Sequence, residues 1–80
     1  MKIISILAVE NENIKENLSD FYHEEEKHAE DFFIKQIRKN IPTVSIKEIE
    51  KILEHGEFDL SDTVKMVYAE RDVPDNYKLI

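Results

Sequence analysis

NIPTVSIKEIEKILEHGEFDLSDTVKMVY, residues 40–68, holds the clearest start and stop signals of the chain. Ser45 is followed three residues later by Glu48, the spacing of a capping box in which each side chain binds a backbone N–H that the helix start leaves free. Apolar residues then recur at helical spacing until Gly56, which readily takes the positive φ of a helix end. This segment predicts an amphipathic helix over residues 46–55.

A second helix is expected directly downstream. Asp59 or Ser61 can cap its first turn, because short polar side chains accept hydrogen bonds from the free backbone N–H groups there. The apolar side of this helix would consist of Leu60, Val64, Val67 and Tyr68.

Residues 13–40 also carry a helical pattern. Asn13 can cap a helix start, and apolar residues recur every three or four positions as far as Ile37. One continuous helix would be roughly 42 Å long, more than the width of a domain of this size. The helix therefore either breaks near the charged segment HEEEKH, residues 23–28, or projects from the domain. Pro42 ends it in either case.

Residues 2–9, KIISILAV, form an apolar run too short to distinguish strand from helix. Their β-branched residues suggest a buried strand, for which the C-terminal NYKLI is the only other candidate partner. We favour a helix or an irregular packing segment. The run cannot cross a bilayer and no small-residue cleavage site follows it, so we expect an intracellular, cytoplasmic protein without a membrane partner.

The composition favours helices. The 80 residues contain one Gly and two Pro, few for a β-rich domain with many turns, and abundant Ile, Glu, Lys and Leu. Cysteine is absent, which excludes disulfides and thiolate chemistry. We expect one small domain with a limited core.

No residue pattern points to catalysis. Glu25 and His28 have the spacing found in di-iron bundles, but the carboxylates that further helices would supply are missing, so a solvated charged face is expected. His55 falls in a last helical turn, where it caps free carbonyls. Without a nucleophile elbow or a glycine-rich phosphate loop, we expect a non-enzymatic protein with no cofactor and no metal.

Short apolar motifs flank the helices of the quoted stretch: Asn40-Ile41-Pro42 before the first, and Val67-Tyr68 late in the second. With them, residues 31–70 resemble a UBA-like three-helix module of the CUE type. The resemblance implies a mainly α fold, a small helical bundle with helices at Asp31–Lys39, Ile46–His55 and Leu60–Glu70. It also implies protein binding, with ubiquitin as the partner if the source is eukaryotic. The partner-binding edge would consist of Ile41, Pro42, Val67 and Tyr68.

The domain organisation follows from this resemblance. Residues 1–30 would be an N-terminal extension, helical or strand, that packs on the bundle or on a partner, and residues 31–80 would be the bundle with a short C-terminal tail. The extension also offers a surface for a homo-oligomer, because its apolar residues exceed what a small core covers. These residues are Ile14, Leu18, Phe21 and Tyr22.

The acidic balance supports an alternative function. A net charge of −7 repels phosphate, so we expect no direct nucleic-acid partner. It favours a basic protein surface, or mimicry of nucleic acid at such a surface. The chain would then be a small acidic regulator or inhibitor, of bacterial or phage origin, that binds a basic site on a host protein. Its binding surface would consist of Glu24, Glu25, Glu26, Glu30 and Asp31.

Overall fold

A four-stranded antiparallel sheet forms the centre of the fold in the computed structural model, which describes residues 1–80. The strands are β1 (Lys2–Glu10), β2 (Asn13–Tyr22), β3 (Glu57–Asp59) and β4 (Val64–Asp72), arranged in the order β2-β1-β4-β3. A short 3-10 turn at His23–Glu25 leads into α1 (Glu26–Asn40), and α2 (Ile46–His55) follows. Both helices pack on one face of the sheet, which we call the helix face.

The strand β1 is the most buried element. All six residues from Ile3 to Ala8 are buried, because β2 and β4 pair with its two edges and both of its faces are covered. Successive side chains of a strand point to opposite faces, so Ile6 enters the core under the helices while Ser5 points to the far face. The β-branched composition of this strand suits such a position.

The core of the helix face is built around Phe33 of α1. Its ring makes edge contacts with the rings of Phe58 and Tyr68, at centroid distances of 5.6 Å and 5.7 Å. Edge-to-face contacts of this kind stabilise aromatic pairs beyond their area of burial. The buried cluster contains Ile6, Phe33, Ile37, Ile49, Phe58 and Met66.

The far face of the sheet is crossed by residues 73–80, which we call the C-terminal segment. Asp20 of β2 holds this segment: its carboxylate accepts hydrogen bonds from the Tyr77 hydroxyl and, at 3.1 Å, from the backbone N–H of Ile80. The Ser5 hydroxyl donates to the same carboxylate at 2.6 Å, and Arg71 donates to Ser5 at 3.1 Å. A buried polar network thus ties the segment to the sheet.

The prediction of a mainly α helical bundle is wrong. The structure is α+β, with 39 % of residues in the antiparallel sheet and 35 % helical, and it contains no three-helix UBA-like module over residues 31–70. Residues 64–70, expected in a third helix over Leu60–Glu70, belong to β4, which pairs with β1 along its whole length. Strand pairing over this distance overrides the local helical spacing, which is a weak preference.

The N-terminal residues also differ from expectation. Residues 13–22, expected to be helical, form β2, and residues 2–9 form a strand whose partners are β2 and β4, not the C-terminal NYKLI. Residues 1–30, expected as an extension, thereby supply two of the four strands. The helix before Pro42 begins only at Glu26, so it is 15 residues long and does not project.

The predicted helix over residues 46–55 is confirmed with both of its ends. The Ser45 hydroxyl accepts from the Glu48 backbone N–H at 3.2 Å, and the Glu48 carboxylate accepts from the Ser45 N–H at 3.3 Å. Gly56 ends the helix at φ 74°. Neither this helix nor α1 has the length and apolarity that crossing a membrane requires.

Replacing Gly56 with alanine tests the helix end. A Cβ at this position would meet only ordinary contact, 3.5 Å from the Tyr68 carbonyl oxygen, so the cost comes from the positive φ. We expect Gly56→Ala to lower the free energy of unfolding by about 1 kcal/mol. Gly56→Asn should cost less, since asparagine tolerates this conformation better. Urea unfolding of both variants measures the difference, and equal losses would contradict the explanation.

Replacing Asp20 tests the anchor of the C-terminal segment. Burial opposes ionisation of Asp20, but four donors outweigh it and lower its pKa below the ordinary 3.8. We expect Asp20→Asn to lower the free energy of unfolding by about 2 kcal/mol at pH 7. Because the pKa is lower in the folded state, this contribution is present above pH 3.8 and is lost as the pH falls through the folded pKa.

Urea unfolding at pH 7 and at pH 3 checks this expectation. The difference between wild type and Asp20→Asn should shrink at pH 3, whereas the exposed Asp62→Asn should match wild type at both values. A difference that stays constant with pH would show that the Asp20 charge does not hold the segment.

Candidate protein-binding site

Five acidic residues lie together at the start of α1, and we call residues 24–31 the acidic segment. Glu24 and Glu25 belong to the 3-10 turn, and Glu26, Glu30 and Asp31 to the first two turns of the helix. All five are exposed or half-buried. Glu25 lies 3.6 Å from His28, but the other four carboxylates have no basic group within 4.0 Å. These four carboxylates therefore make no close ion pair within the chain, although Lys27 belongs to the same segment.

The sequence of α1 separates charge along the helix axis. Its three acidic residues occupy the N-terminal half, together with Lys27, while the basic residues Lys35, Arg38 and Lys39 occupy the C-terminal half. This order complements the helix dipole, which favours negative side chains at the N-terminus and positive ones at the C-terminus. Lys27 is the one lysine of α1 that lies within the acidic segment.

The strand β4 brings further residues to this end of the molecule. Glu70 lies 3.9 Å from His23 of the 3-10 turn, measured between Oε1 and Nε2. Tyr68, two residues earlier on the same face of the strand, packs under α1 against Phe33. The acidic segment and the end of β4 therefore form one continuous surface.

A small cavity opens between the two helices above β4. It has a volume of about 150 Å³ and is lined by Glu26 and Glu30 of α1, Leu53 of α2 and Tyr68 of β4. Glu26 and Glu30 are four residues apart, so their side chains lie on the same side of the helix. We call this space the Tyr68 cavity.

The Tyr68 hydroxyl is an unusual feature of this cavity. Its oxygen exposes less than 1 Å² to solvent and has no hydrogen-bond partner. Burial raises the pKa of Tyr68 to about 12, and the negative charges of Glu26, Glu30 and Glu70 act in the same direction. The phenol therefore stays protonated at neutral pH, able to donate one hydrogen bond and to accept others.

The structure does not bring the four residues of the expected apolar edge together. Val67 and Tyr68 are neighbours on β4, so their side chains point to opposite faces of the sheet. Ile41 and Pro42 lie in the loop between the helices, where Ile41 packs against the core and Pro42 is exposed. Tyr68 and Ile41 contact the same core cluster, as packing residues.

The apolar residues of the N-terminal segment are likewise divided. Leu18 and Phe21 pack against the helix-face core, and the Phe21 ring lies 5.8 Å from the ring of Phe32. Ile14 and Tyr22, 57 % and 48 % exposed, lie near opposite ends of β2 and form no common patch. A homo-oligomer through this segment stays a prediction.

The histidines and carboxylates form no larger cluster. Glu25 and His28 make the 3.6 Å contact described above, and no group of three or more His, Asp or Glu side chains is arranged to share a metal ion. The larger surface depressions lie along the outside of α2 and beside β3. They are open and lined mainly by polar and charged side chains. The Tyr68 cavity differs from them because a residue of its lining, Tyr68, has a buried hydroxyl without a partner.

Comparisons of the chain with protein-family models, with curated proteins and with solved structures gave no match. Identification of residues 31–70 as a UBA-like module of the CUE type is wrong, because the sheet occupies the region where that module has its third helix.

Sequence reasoning missed the residues that complete this surface. Glu70 and Leu53 were not singled out, because their approach to α1 depends on the pairing of β4 and the packing of α2. Tyr68 was selected, though as part of an apolar edge. The sequence offered one signal for this site, the tyrosine at position 68. A buried tyrosine usually has a hydrogen-bond partner for its hydroxyl, so a tyrosine on an apolar face indicates a polar group nearby.

Tyr68→Phe tests the unpartnered hydroxyl. Removing a buried polar group without a partner relieves its desolvation cost, so we expect the free energy of unfolding to rise by about 1 kcal/mol. The exposed Tyr22→Phe is the matched control and should change it by less than about 0.5 kcal/mol. Thermal and urea unfolding at pH 7 measure both variants.

The alkaline titration supplies a second measurement on the same variant. The folded pKa of Tyr68, about 12, exceeds the ordinary 10.0, so its ionisation favours unfolding and stability is lost as pH rises from 10 toward 12. Tyr68→Phe should remove this part of the loss and reduce the late phenolate absorbance, to which Tyr77 also contributes because its hydrogen bond to Asp20 raises its pKa. A variant less stable than wild type at pH 7 would contradict the assignment of the hydroxyl as unsatisfied.

Proposed function

We propose that this chain is a non-enzymatic, intracellular protein-binding module that attaches through its acidic segment to a basic site on another protein. The observation that carries the proposal is the gathering of four carboxylates without basic partners at one end of the molecule. They belong to Glu24, Glu26, Glu30 and Asp31. In this role the chain acts as a small acidic regulator or inhibitor, and a bacterial or phage source would make a host protein the target.

Electrostatics supports a basic protein partner. The net charge of −7 and the excess of carboxylates in the acidic segment steer a basic partner toward that segment and speed association. The same field repels phosphate, so nucleic acid itself is a poor partner. A basic site that normally receives nucleic acid is one form such a target can take, and the chain would then mimic the phosphates.

The rigid support of the acidic segment is a second argument. Ala29 and Phe33 of α1 are fully buried against the sheet, so the helix that carries the carboxylates is fixed by the core. A fixed set of charges loses less conformational entropy on binding than a flexible tail of the same charge. The apolar edge has no comparable support, because Val67 and Tyr68 point to opposite faces.

Neutralising the acidic segment tests the proposal. The variant Glu26→Gln/Glu30→Gln/Asp31→Asn removes three negative charges from the segment, and Glu16→Gln/Glu50→Gln/Glu54→Gln removes three exposed charges elsewhere. Both variants and wild type would be immobilised, challenged with host lysate over a salt series, and the retained proteins identified. We expect wild type to retain basic proteins that salt releases, because screening weakens charge pairing.

The two triple variants separate a site from general charge. If the acidic segment is the site, the first variant loses its partners while the second keeps them, with folding of both checked by circular dichroism. If both variants lose their partners equally, the interaction depends on the net charge of the chain and not on the acidic segment. Partners that are neutral or acidic, or that resist salt, would contradict the proposal.

A further inference from the structure

We propose that the C-terminal segment is a strap that opens and closes on the far face of the sheet while the sheet and both helices stay folded. In its closed position it covers the Asp20 carboxylate and stacks against the Arg71 guanidinium. The inference concerns the face opposite the helices, so it stands apart from the function proposed for the acidic segment.

The Asp20 carboxylate divides its two oxygens between the sheet and the C-terminal segment. Its Oδ1 accepts from the Ser5 hydroxyl at 2.6 Å and from the Asn17 side-chain amide at 2.8 Å. Its Oδ2 accepts from the Tyr77 hydroxyl and, at 3.1 Å, from the Ile80 backbone N–H. The donors to Oδ1 belong to β1 and β2, so they hold the carboxylate in place when the segment leaves. The anchor is therefore part of the sheet and does not depend on the segment.

Val73 is the fixed end of the segment. It is buried, and its backbone N–H donates to the Met1 carbonyl oxygen at 2.8 Å. Pro74 follows, and the Tyr77 N–H donates to the Pro74 carbonyl oxygen at 2.9 Å, which closes a turn over residues 74–77. The proline ring fixes one backbone angle of this turn, so the open segment has fewer conformations to lose on closing. The hinge therefore lies between Val73 and the turn.

The residues beyond the hinge are lightly held. Of residues 74–80, five are exposed and two half-buried, and none belongs to a helix or a strand. The Tyr77 ring centre lies 6.0 Å from the guanidinium carbon of Arg71, a cation–π contact. The exposed Asp75 carboxylate lies 3.4 Å from the Met1 amino group, and an ion pair of this kind contributes little. Exposed backbone and a lack of buried apolar residues are features of segments that open on their own.

Opening uncovers polar groups at fixed positions on the far face. Oδ2 of Asp20 loses its two donors, while Ser5 and Asn17 still hold the carboxylate. Arg71 loses the Tyr77 ring but keeps its hydrogen bond to the Ser5 hydroxyl, at 3.1 Å. The closed segment therefore blocks an acceptor and a cation that belong to the sheet, and its opening controls access to them.

Two adjacent backbone amides distinguish the segment from the sheet. The Asp20 N–H donates to the Ile80 carbonyl oxygen at 3.0 Å, away from β1, so the alternation of an antiparallel strand directs the Phe21 N–H toward β1. Hydrogen exchange of an amide requires opening of its hydrogen bond. We expect Asp20 and Ile80 to exchange at one rate, corrected for intrinsic rates, and at least about a hundredfold faster than Phe21. NMR of the ¹⁵N-labelled full chain in D₂O measures all three.

Tyr77→Phe is the decisive variant, because it removes the hydroxyl donor to Asp20 and keeps the ring beside Arg71. Loss of one hydrogen bond to a charged group should raise the opening equilibrium about tenfold. The Asp20 and Ile80 amides should then exchange about tenfold faster, with the Phe21 rate unchanged. An unchanged Phe21 rate in the same sample also shows that the variant is folded. The exposed Tyr22→Phe is the matched control and should leave all three rates as they are.

The inference is overturned if the Asp20 amide exchanges as slowly as that of Phe21, because the segment would then open only when the whole sheet unfolds. It is also overturned if Asp20 and Ile80 exchange at different rates, or if Tyr77→Phe leaves their rates unchanged or raises the Phe21 rate equally. The salt-dependent partners of the two triple variants do not enter this test. Either proposal can therefore fail while the other stands.

Discussion

The burial of β1 on both faces is the constraint on which the rest of the structure depends. A strand with six consecutive buried residues needs partners along both edges and a cover on each face. β2 and β4 satisfy its backbone groups, the two helices cover one face, and the C-terminal segment crosses the other. The polar members of this arrangement, Ser5 and Asp20, are buried only because they bind each other and the segment above them.

Local signals predicted α2 correctly and the strands poorly, for reasons visible at individual residues. The capping box at Ser45 and the positive φ at Gly56 act within one turn, so the sequence reveals them. The scarcity of glycine was misleading, because the hairpin between β1 and β2 turns through Asn11 and Glu12, both at positive φ. Ser61, expected to cap a helix, instead accepts from the backbone N–H groups of the loop between β3 and β4. A short polar side chain can accept backbone hydrogen bonds at a helix start or in a turn between strands, and long-range strand pairing decides which of the two forms.

In the candidate site, too, the features set by neighbouring residues could be predicted and those set by long-range pairing could not. The acidic residues of the site could be read directly from residues 24–31, since they are neighbours in the chain. Their meeting with Tyr68 could not, because it requires β4 to pair with β1 and α2 to pack beside α1. A hydroxyl buried without a partner makes the fold less stable than a phenylalanine would. Such a group conflicts with the apolar core beside it, as the buried and unpartnered Oδ1 of Asn17 does on β2, and conflicts of this kind are expected where a protein has a function besides folding.

The pairing of β1 with β4 also has a consequence for how the chain folds. It joins Lys2 to Asp72 and Glu10 to Val64, so the centre of the sheet consists of contacts between residues more than fifty positions apart. The entropy of closing such a long loop must be overcome before these contacts form, which slows folding relative to a helical bundle of equal length. During synthesis, β1, β2 and α1 leave the ribosome long before β4 exists. Until then one edge of the most apolar strand has no partner, and it is this edge that is most exposed to aggregation.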